Sequence, residues 1–116
     1  MEGLGKALED LTGAYREEAP EDAAYPYLVF SARRLTEEGG GQVYALEVSA
    51  WDQHPYYSRA EGMMDMLERK LHRCNYMAGG RLIRIFKGAR QNVPDPDRTI
   101  KRVREQFGMH VYEMEE

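Results

Sequence analysis

The sequence predicts an α+β domain in which helices cover one face of an antiparallel sheet of about four strands. Three observations indicate it: a helical apolar stripe within residues 58–74, strand-like alternation within residues 43–51 and 100–112, and glycine or proline runs between such segments. At 116 residues the chain has the usual length of one domain. We therefore expect one domain, residues 1–116, with the element order α-β-β-α-β-β.

The first predicted element is a short N-terminal helix. Leu4, Ala7, Leu8 and Leu11 are spaced i, i+3, i+4 and i+7, which places them on one helix face. Residues 16–24 are acidic and contain a proline, a composition that indicates a loop.

The next two predicted elements are the strands of a hairpin. Residues 27–34 are rich in aromatic and aliphatic side chains, and the glycine-rich residues 36–42 predict a loose turn after them. Residues 43–51 alternate in the manner of a half-buried strand. Its expected core face consists of Tyr44, Leu46, Val48 and Ala50.

A second helix is predicted from Ser58 to Cys74. Ser58 and Glu61 have the spacing of a capping box, in which each side chain accepts a hydrogen bond from the backbone N–H of the other. Apolar residues recur at helical spacing through the segment, so one face is expected to pack on the sheet. Cys74 is the single cysteine and is interpreted as a small core residue.

Two further strands, residues 81–87 and 100–112, complete the predicted fold. The residues between them include a Pro-Asp-Pro-Asp run, which predicts a stiff polar loop. Odd-numbered residues of the last strand are expected to face the core. Glu105 is the one charge among them, and it predicts a bulge that interrupts the register.

The residue types needed for catalysis or metal binding do not assemble into a motif. The chain has no Walker A, GxGxxG, GxSxG, CxxC or HxxxH pattern. We therefore expect no catalytic residue, no metal ligand and no cofactor, and interpret Asp95 and Asp97 as solvated aspartates in a proline turn. No apolar run approaches the roughly 20 residues of a membrane span.

The net charge of −4 conceals an asymmetry along the chain. Residues 1–40 contain nine acidic and four basic residues, whereas residues 79–105 contain three acidic and eight basic residues. This division is compatible with self-association, with a nucleic-acid contact, or with solubility alone. Direct nucleic-acid binding is disfavoured because the chain is acidic overall and phosphate binding needs a coherent cationic surface.

Three stretches are similar to a known family. Residues 25–30 read Tyr-Pro-Tyr-Leu-Val-Phe, residues 45–52 read Ala-Leu-Glu-Val-Ser-Ala-Trp-Asp, and residues 93–98 read Val-Pro-Asp-Pro-Asp-Arg before a basic strand. From about residue 4 to residue 112 the chain resembles the tail terminator proteins of long-tailed phages and prophages, also called tail completion or head–tail joining proteins. The resemblance implies helices over one face of an antiparallel sheet and no enzyme activity.

The resemblance also implies an assembly. Such proteins form a ring, usually a hexamer, that caps the tail tube and joins it to the capsid neck. The expected partners are further copies of the chain, the tail-tube protein and a head-completion or neck protein, with DNA contacted only as it passes through the ring. The expected location is the tail–neck junction of the virion, after assembly in the host cytoplasm. Alternatives are another phage neck or minor capsid protein, or a small nucleic-acid- or ligand-binding domain.

A ring requires two different, complementary patches on each subunit. The charge asymmetry leads us to expect a subunit interface between one basic and one acidic set of residues. The basic set is Arg98, Arg102 and Arg104, and the acidic set is Glu17, Glu18, Glu37 and Glu38. Long loops often contact partners, and the expected partner-contact loop consists of Asn92, Val93, Pro94, Asp95, Pro96 and Asp97.

Overall fold

The computed structural model describes residues 2–114, except for the side chains of Glu2 and Glu38. Within this range no helix is long and apolar enough to cross a membrane. The elements in chain order are α1 (Glu2–Thr12), β1 (Tyr15–Arg16), β2 (Tyr27–Glu38), β3 (Gly41–Gln53), α2 (Ser58–Leu71), β4 (Cys74–Ala78), β5 (Arg81–Phe86), β6 (Arg90–Val93) and β7 (Ile100–Glu113).

The strands form one mixed sheet in the order β1-β2-β3-β7-β5-β4, and β6 also pairs with β7. β1 runs parallel to β2, while the other pairings are antiparallel. The α+β class is therefore confirmed, but the predicted antiparallel sheet of about four strands in the order α-β-β-α-β-β is wrong. The unpredicted strands β1, β4 and β6 have two, five and four residues, too few to produce a clear periodic pattern.

The turn between β2 and β3 is tight, not the loose loop predicted for residues 36–42. Gly39 and Gly40 have φ angles of 55° and 80°, and positive φ at both central residues is typical of a two-residue hairpin turn. Gly79 and Gly80, with φ angles of 57° and 75°, join β4 to β5 in the same way.

The second helix begins at Ser58 as predicted, but its predicted capping box and its predicted end at Cys74 are wrong. Tyr57 is the N-cap residue and no side chain caps this terminus, because Ser58 already lies inside the helix and so no capping box forms. At the other end α2 stops at Leu71, and Arg73 takes a positive φ of 63°. Cys74 is the first residue of β4. Alternate residues of β4 face the core, so the apolar pattern continues beyond the end of the helix.

The core lies between the two helices and one face of the sheet. Leu8 of α1 and Met64 of α2 are fully buried against this face. The predicted core residues of both long strands are buried there, namely Tyr44, Leu46, Val48, Ala50, Val103, Phe107, Met109 and Val111. Cys74 packs against the core and is partly buried, and this burial raises the pKa of its thiol.

The opposite face of the sheet, here called the open face, has neither described helix packed on it. The register places side chains from four strands on this face. They are Tyr27, Val29, Ser31 and Arg33 of β2, Val43, Ala45, Glu47, Ser49 and Trp51 of β3, Arg102, Arg104, Gln106, His110 and Tyr112 of β7, and Leu82, Arg84 and Phe86 of β5.

Candidate interaction site

A row of aromatic and arginine side chains crosses the open face. Tyr27 is the cross-strand partner of Trp51, which is in turn the cross-strand partner of Arg102. The Arg102 guanidinium carbon lies 4.8 Å from the centroid of the Trp51 ring, and Arg102 Nε donates a hydrogen bond to Ser49 Oγ at 3.0 Å. Tyr, Trp and Arg are the residue types enriched at protein-binding hot spots.

Arg102 and Arg104 share one carboxylate, Glu47. The distances from Arg102 Nη2 and Arg104 Nε to the Glu47 oxygens are both 3.8 Å, which is long for a charge-assisted hydrogen bond. Burial, followed by repulsion from Arg104, lowers the pKa of Arg102. A further carboxylate placed over the open face would therefore be attracted by both arginines.

The predicted acidic residues occupy different parts of the subunit. Glu17 lines a cleft of about 110 Å³ together with Trp51 and Arg102, so one acidic and one basic residue of the predicted interface border the same cleft of a single chain. Glu18 is exposed beside Glu17. Glu37 lies at the end of β2 and forms an ion pair with Arg34 at 3.8 Å. The side chain of Glu38 is outside the described residues.

The predicted partner-contact loop is shorter than expected. Asn92 and Val93 belong to β6, and Asn92 donates a hydrogen bond to Glu61 of α2 at 3.3 Å. The loop proper begins at Pro94. Arg98 near its end is exposed, and its carbonyl oxygen accepts a hydrogen bond from Lys101 Nζ.

Asp95 and Asp97 stabilise turns within this loop. Asp95 Oδ1 accepts a hydrogen bond from the Asp97 amide at 2.9 Å. Asp97 Oδ1 accepts two from Thr99, at 2.9 Å from the amide and 2.7 Å from the hydroxyl, and these lower the pKa of Asp97. In the part of the chain that the structure describes, no group of three His, Cys, Asp or Glu side chains is placed to hold a metal ion.

An ionic cluster around the buried Glu105 joins α2, β6 and β7, and the sequence did not predict it. Arg90 of β6 donates hydrogen bonds to Glu105 Oε1 at 2.8 Å, Asp65 Oδ1 at 2.6 Å and Glu68 Oε2 at 3.0 Å. The predicted bulge at Glu105 is wrong, because β7 keeps a continuous register with β3 through this residue. Arg90 lies directly opposite Glu105 in the register, so the buried carboxylate has a partner without any shift of the strand.

The charges of this cluster influence one another. Burial, followed by the Glu68 carboxylate, raises the pKa of Glu105 to about 7 despite the presence of Arg90. Glu105 Oε2 is buried and receives no hydrogen bond from the described residues. With a proton on Oε2, Glu105 can donate to Glu68, and this hydrogen bond, with further help from Arg90, lowers the pKa of Glu68.

A second ion pair connects the end of β3 to the start of α2. Asp52 is fully buried and accepts hydrogen bonds from Arg59 Nε at 2.9 Å and Arg59 Nη2 at 2.5 Å. These hydrogen bonds lower the pKa of Asp52. Neighbouring His54 accepts a hydrogen bond from the Tyr56 amide through Nδ1 at 3.1 Å. Through Arg59, Asp52 therefore orients the start of α2, and both of its carboxylate oxygens take part in this contact.

The comparison with protein families decides the identity. A model of the family described as tail completion protein gp17 matches residues 5–112. The chain belongs to the tail completion protein gp17 family. It is thus a structural protein of the phage tail, as the resemblance of its three sequence stretches implied.

Solved structures contain the same fold as this tail completion protein. Eight chains match, and one of them belongs to a structure described as the virion of a native gene transfer agent (GTA) particle. That chain has 14% sequence identity and a TM-score of 0.69, with 90% of this chain and 83% of that chain covered. At this identity the likeness shows the fold. No curated protein sequence matches the chain.

Proposed function

We propose that this tail completion protein forms a ring, most simply a hexamer, on the end of the tail tube. There it stops the addition of tube subunits and joins the tail to the capsid neck in the virion. The open face is the observation that carries the proposal. In a member of this family, a sheet face on which Tyr27, Trp51 and incompletely paired arginines are partly exposed is suited to binding protein. The similar fold in a gene transfer agent virion supports the location.

The ring interface is proposed to be heterologous, with the basic set of one subunit facing the acidic set of the next. The basic set is Arg98, Arg102 and Arg104, and the acidic set is Glu17, Glu18, Glu37 and Glu38. Glu17 and Glu18 form no salt bridge within residues 2–114, so their charges are available to a neighbour. Glu37 lies at the end of β2, whereas the Glu17 amide donates a hydrogen bond to Phe30 near the start of that strand, so Glu37 can meet a different cation of the neighbouring subunit from the one that Glu17 meets.

The direct test is native mass spectrometry of the purified protein, alone and with its cognate tail-tube protein. We expect a closed ring, either in isolation or once the tube is present. Electron microscopy of capped tubes then gives the number of subunits in the ring. A protein that stays monomeric and does not bind the tube overturns the proposal.

Charge reversal tests the proposed interface. The double variant Arg102→Glu and Arg104→Glu is expected to weaken ring formation by on the order of tenfold or more, because like charges would then face each other across the interface. Mass photometry on tubes measures the assembled fraction.

The matched control for this charge reversal is Lys6→Glu with Arg73→Glu. This pair makes the same change in net charge on the exposed helix side and should assemble normally. Thermal unfolding confirms that all variants fold. Equal assembly of the two double variants contradicts the interface.

A further inference from the structure

An apolar groove lies on the helix side of the molecule, between the end of α1 and the middle of α2. It is lined by Thr12, Leu28, Met63, Met66, Leu67 and Lys70. Its volume of about 290 Å³ is near the lower limit of pockets that bind small molecules, about 300 Å³, and is suited to an inserted side chain. Met66 is 68% exposed, and methionine adapts its shape readily to an apolar partner.

A second exposed apolar feature lies on β2. Leu35 is 53% exposed and is the extra residue of a β-bulge, since Arg34 pairs with Tyr44 while Thr36 pairs with Val43. A bulge turns a side chain out of the regular alternation of its strand. β1 pairs with β2 only at Val29 and Phe30, so among the described strands none covers the outer edge of β2 at Leu35.

Leu35 cannot reach the groove of its own chain. Leu28 lines the groove and lies seven residues earlier on the same strand. At about 3.3 Å per residue the two positions are separated by about 23 Å. A contact between Leu35 and the groove therefore joins two copies through two different patches, which is the heterologous geometry that closes a ring.

The charges beside the two features are complementary. Lys70 lines the groove and is exposed, with no salt bridge within residues 2–114. Glu37 follows Leu35 by two residues and has a 72% exposed side chain, and its ion pair among the described residues is with Arg34 at the long distance of 3.8 Å. Insertion of Leu35 would bring Glu37 of one copy towards Lys70 of the other.

We propose that Leu35 of each subunit inserts into the groove beside Met66 of the next subunit, with Glu37 near Lys70. This contact rests on the proposed ring and assigns its apolar anchor. It combines one buried apolar side chain with a charge pair at the rim, an arrangement typical of binding hot spots. The occupant of the groove is thus a second copy of this chain.

Disulfide crosslinking on assembled tubes tests the contact. Leu35→Cys and Met66→Cys are combined in a Cys74→Ser background, and mild oxidation is expected to link neighbours into a ladder that extends up to the full ring. A disulfide needs Cα atoms within about 7 Å, so a ladder requires close contact of these two residues. The matched control replaces Met66→Cys by Met77→Cys, which is 57% exposed on β4, and should give no ladder.

The outcomes separate this contact from the ring itself. A ring of normal mass that gives no ladder, or covalent dimers alone, overturns the Leu35 contact and leaves the proposed function standing. Failure of the unmodified protein to form a ring on tubes overturns the proposed function and the contact with it. As an independent check, Leu35→Asp should reduce ring formation by tenfold or more, about 1.4 kcal/mol, whereas Leu35→Met should preserve it.

Discussion

Glu105 would destabilise the middle of the sheet if Arg90 did not lie opposite it. The residue is fully buried, and an unpaired charge in such a position costs several kcal/mol. Arg90 gives it one hydrogen bond and holds Asp65 and Glu68 of α2 with two others. Burial disfavours the charged guanidinium, but the hydrogen bonds to Asp65 and Glu105 outweigh it and raise the pKa of Arg90.

This cluster predicts a pH-dependent stability. The pKa of Glu105 is raised from 4.5 to about 7 by burial and then by Glu68. Between these values the folded protein retains a proton that the unfolded chain releases, so the free energy of unfolding falls as pH rises through this window. The slope is at most about 1.4 kcal/mol per pH unit. Glu68, with its lowered pKa, contributes oppositely below about pH 4.5.

Glu105→Gln should remove most of this slope, because the amide keeps a hydrogen-bond donor for Glu68 at every pH. Urea unfolding between pH 5 and pH 8 measures the change in the free energy of unfolding with pH. The control is Glu37→Gln on the exposed end of β2, which should keep the slope of the original protein. If both variants show that same slope, Glu105 is not its source.

At the scale of elements, β7 organises the sheet because it pairs along both edges. β3 covers one edge without interruption, while β6 and then β5 share the other. Between β5 and β6 the strand pairing with β7 is interrupted. It resumes at Ala89, whose carbonyl oxygen accepts a hydrogen bond from the Gln106 amide at 2.9 Å. Gly88 passes so close to β7 here that a Cβ would lie 2.2 Å from the Gln106 carbonyl oxygen.

Gly88→Ala is therefore expected to destabilise the protein by roughly 1–3 kcal/mol, as overpacking does, and to release β6 from β7. Urea unfolding measures the loss of stability, and amide hydrogen exchange over residues 90–93 reports the release of β6 from β7. Gly62→Ala is the matched control, since a Cβ there meets nothing within 4 Å inside α2 and should stabilise by about 1 kcal/mol or less. Unchanged protection of β6 in Gly88→Ala contradicts the close approach.

At the scale of the whole molecule, the subunit is elongated, with extents of 50 × 27 × 21 Å. The turns at Gly39–Gly40 and Gly79–Gly80 lie at one end, because Gly41 pairs with Tyr112 and Arg81 with Glu113. The loop from Pro94 lies at the other end, where the His54 amide donates a hydrogen bond to the Thr99 carbonyl. Two distant ends suit a subunit proposed to join a tube to a neck.

Replacement of residues 94–97 by an equal length of Gly and Ser tests the loop. Because these residues lie outside the core, stability should change by about 1 kcal/mol or less and the ring should persist. Binding of the ring to either the tube or the neck protein should weaken, as co-sedimentation can measure. The same replacement of residues 19–22, a loop segment of equal length and similar exposure, is the control. Unchanged binding to both partners would exclude these residues as a contact.

The sequence by itself determined the elements whose patterns are local. The positions of α1, β2, β3, β5 and β7 follow from apolar residues repeated at the period of one helix face or one strand face. The core faces of β3 and β7 follow for the same reason. Three short stretches, at residues 25–30, 45–52 and 93–98, were enough to indicate the family.

The tertiary structure alone decided what depends on distant partners. β1, β4 and β6 are strands because a longer strand lies beside each of them, and α2 ends before Cys74 because that residue pairs with Ile85 of β5. Arg90 meets Glu105 only because β6 pairs with β7. Likewise, the arginines of β7 share Glu47 on an open face only because β3 lies beside them. Such contacts are set by burial and pairing across the sheet, which no local repeat of residues encodes.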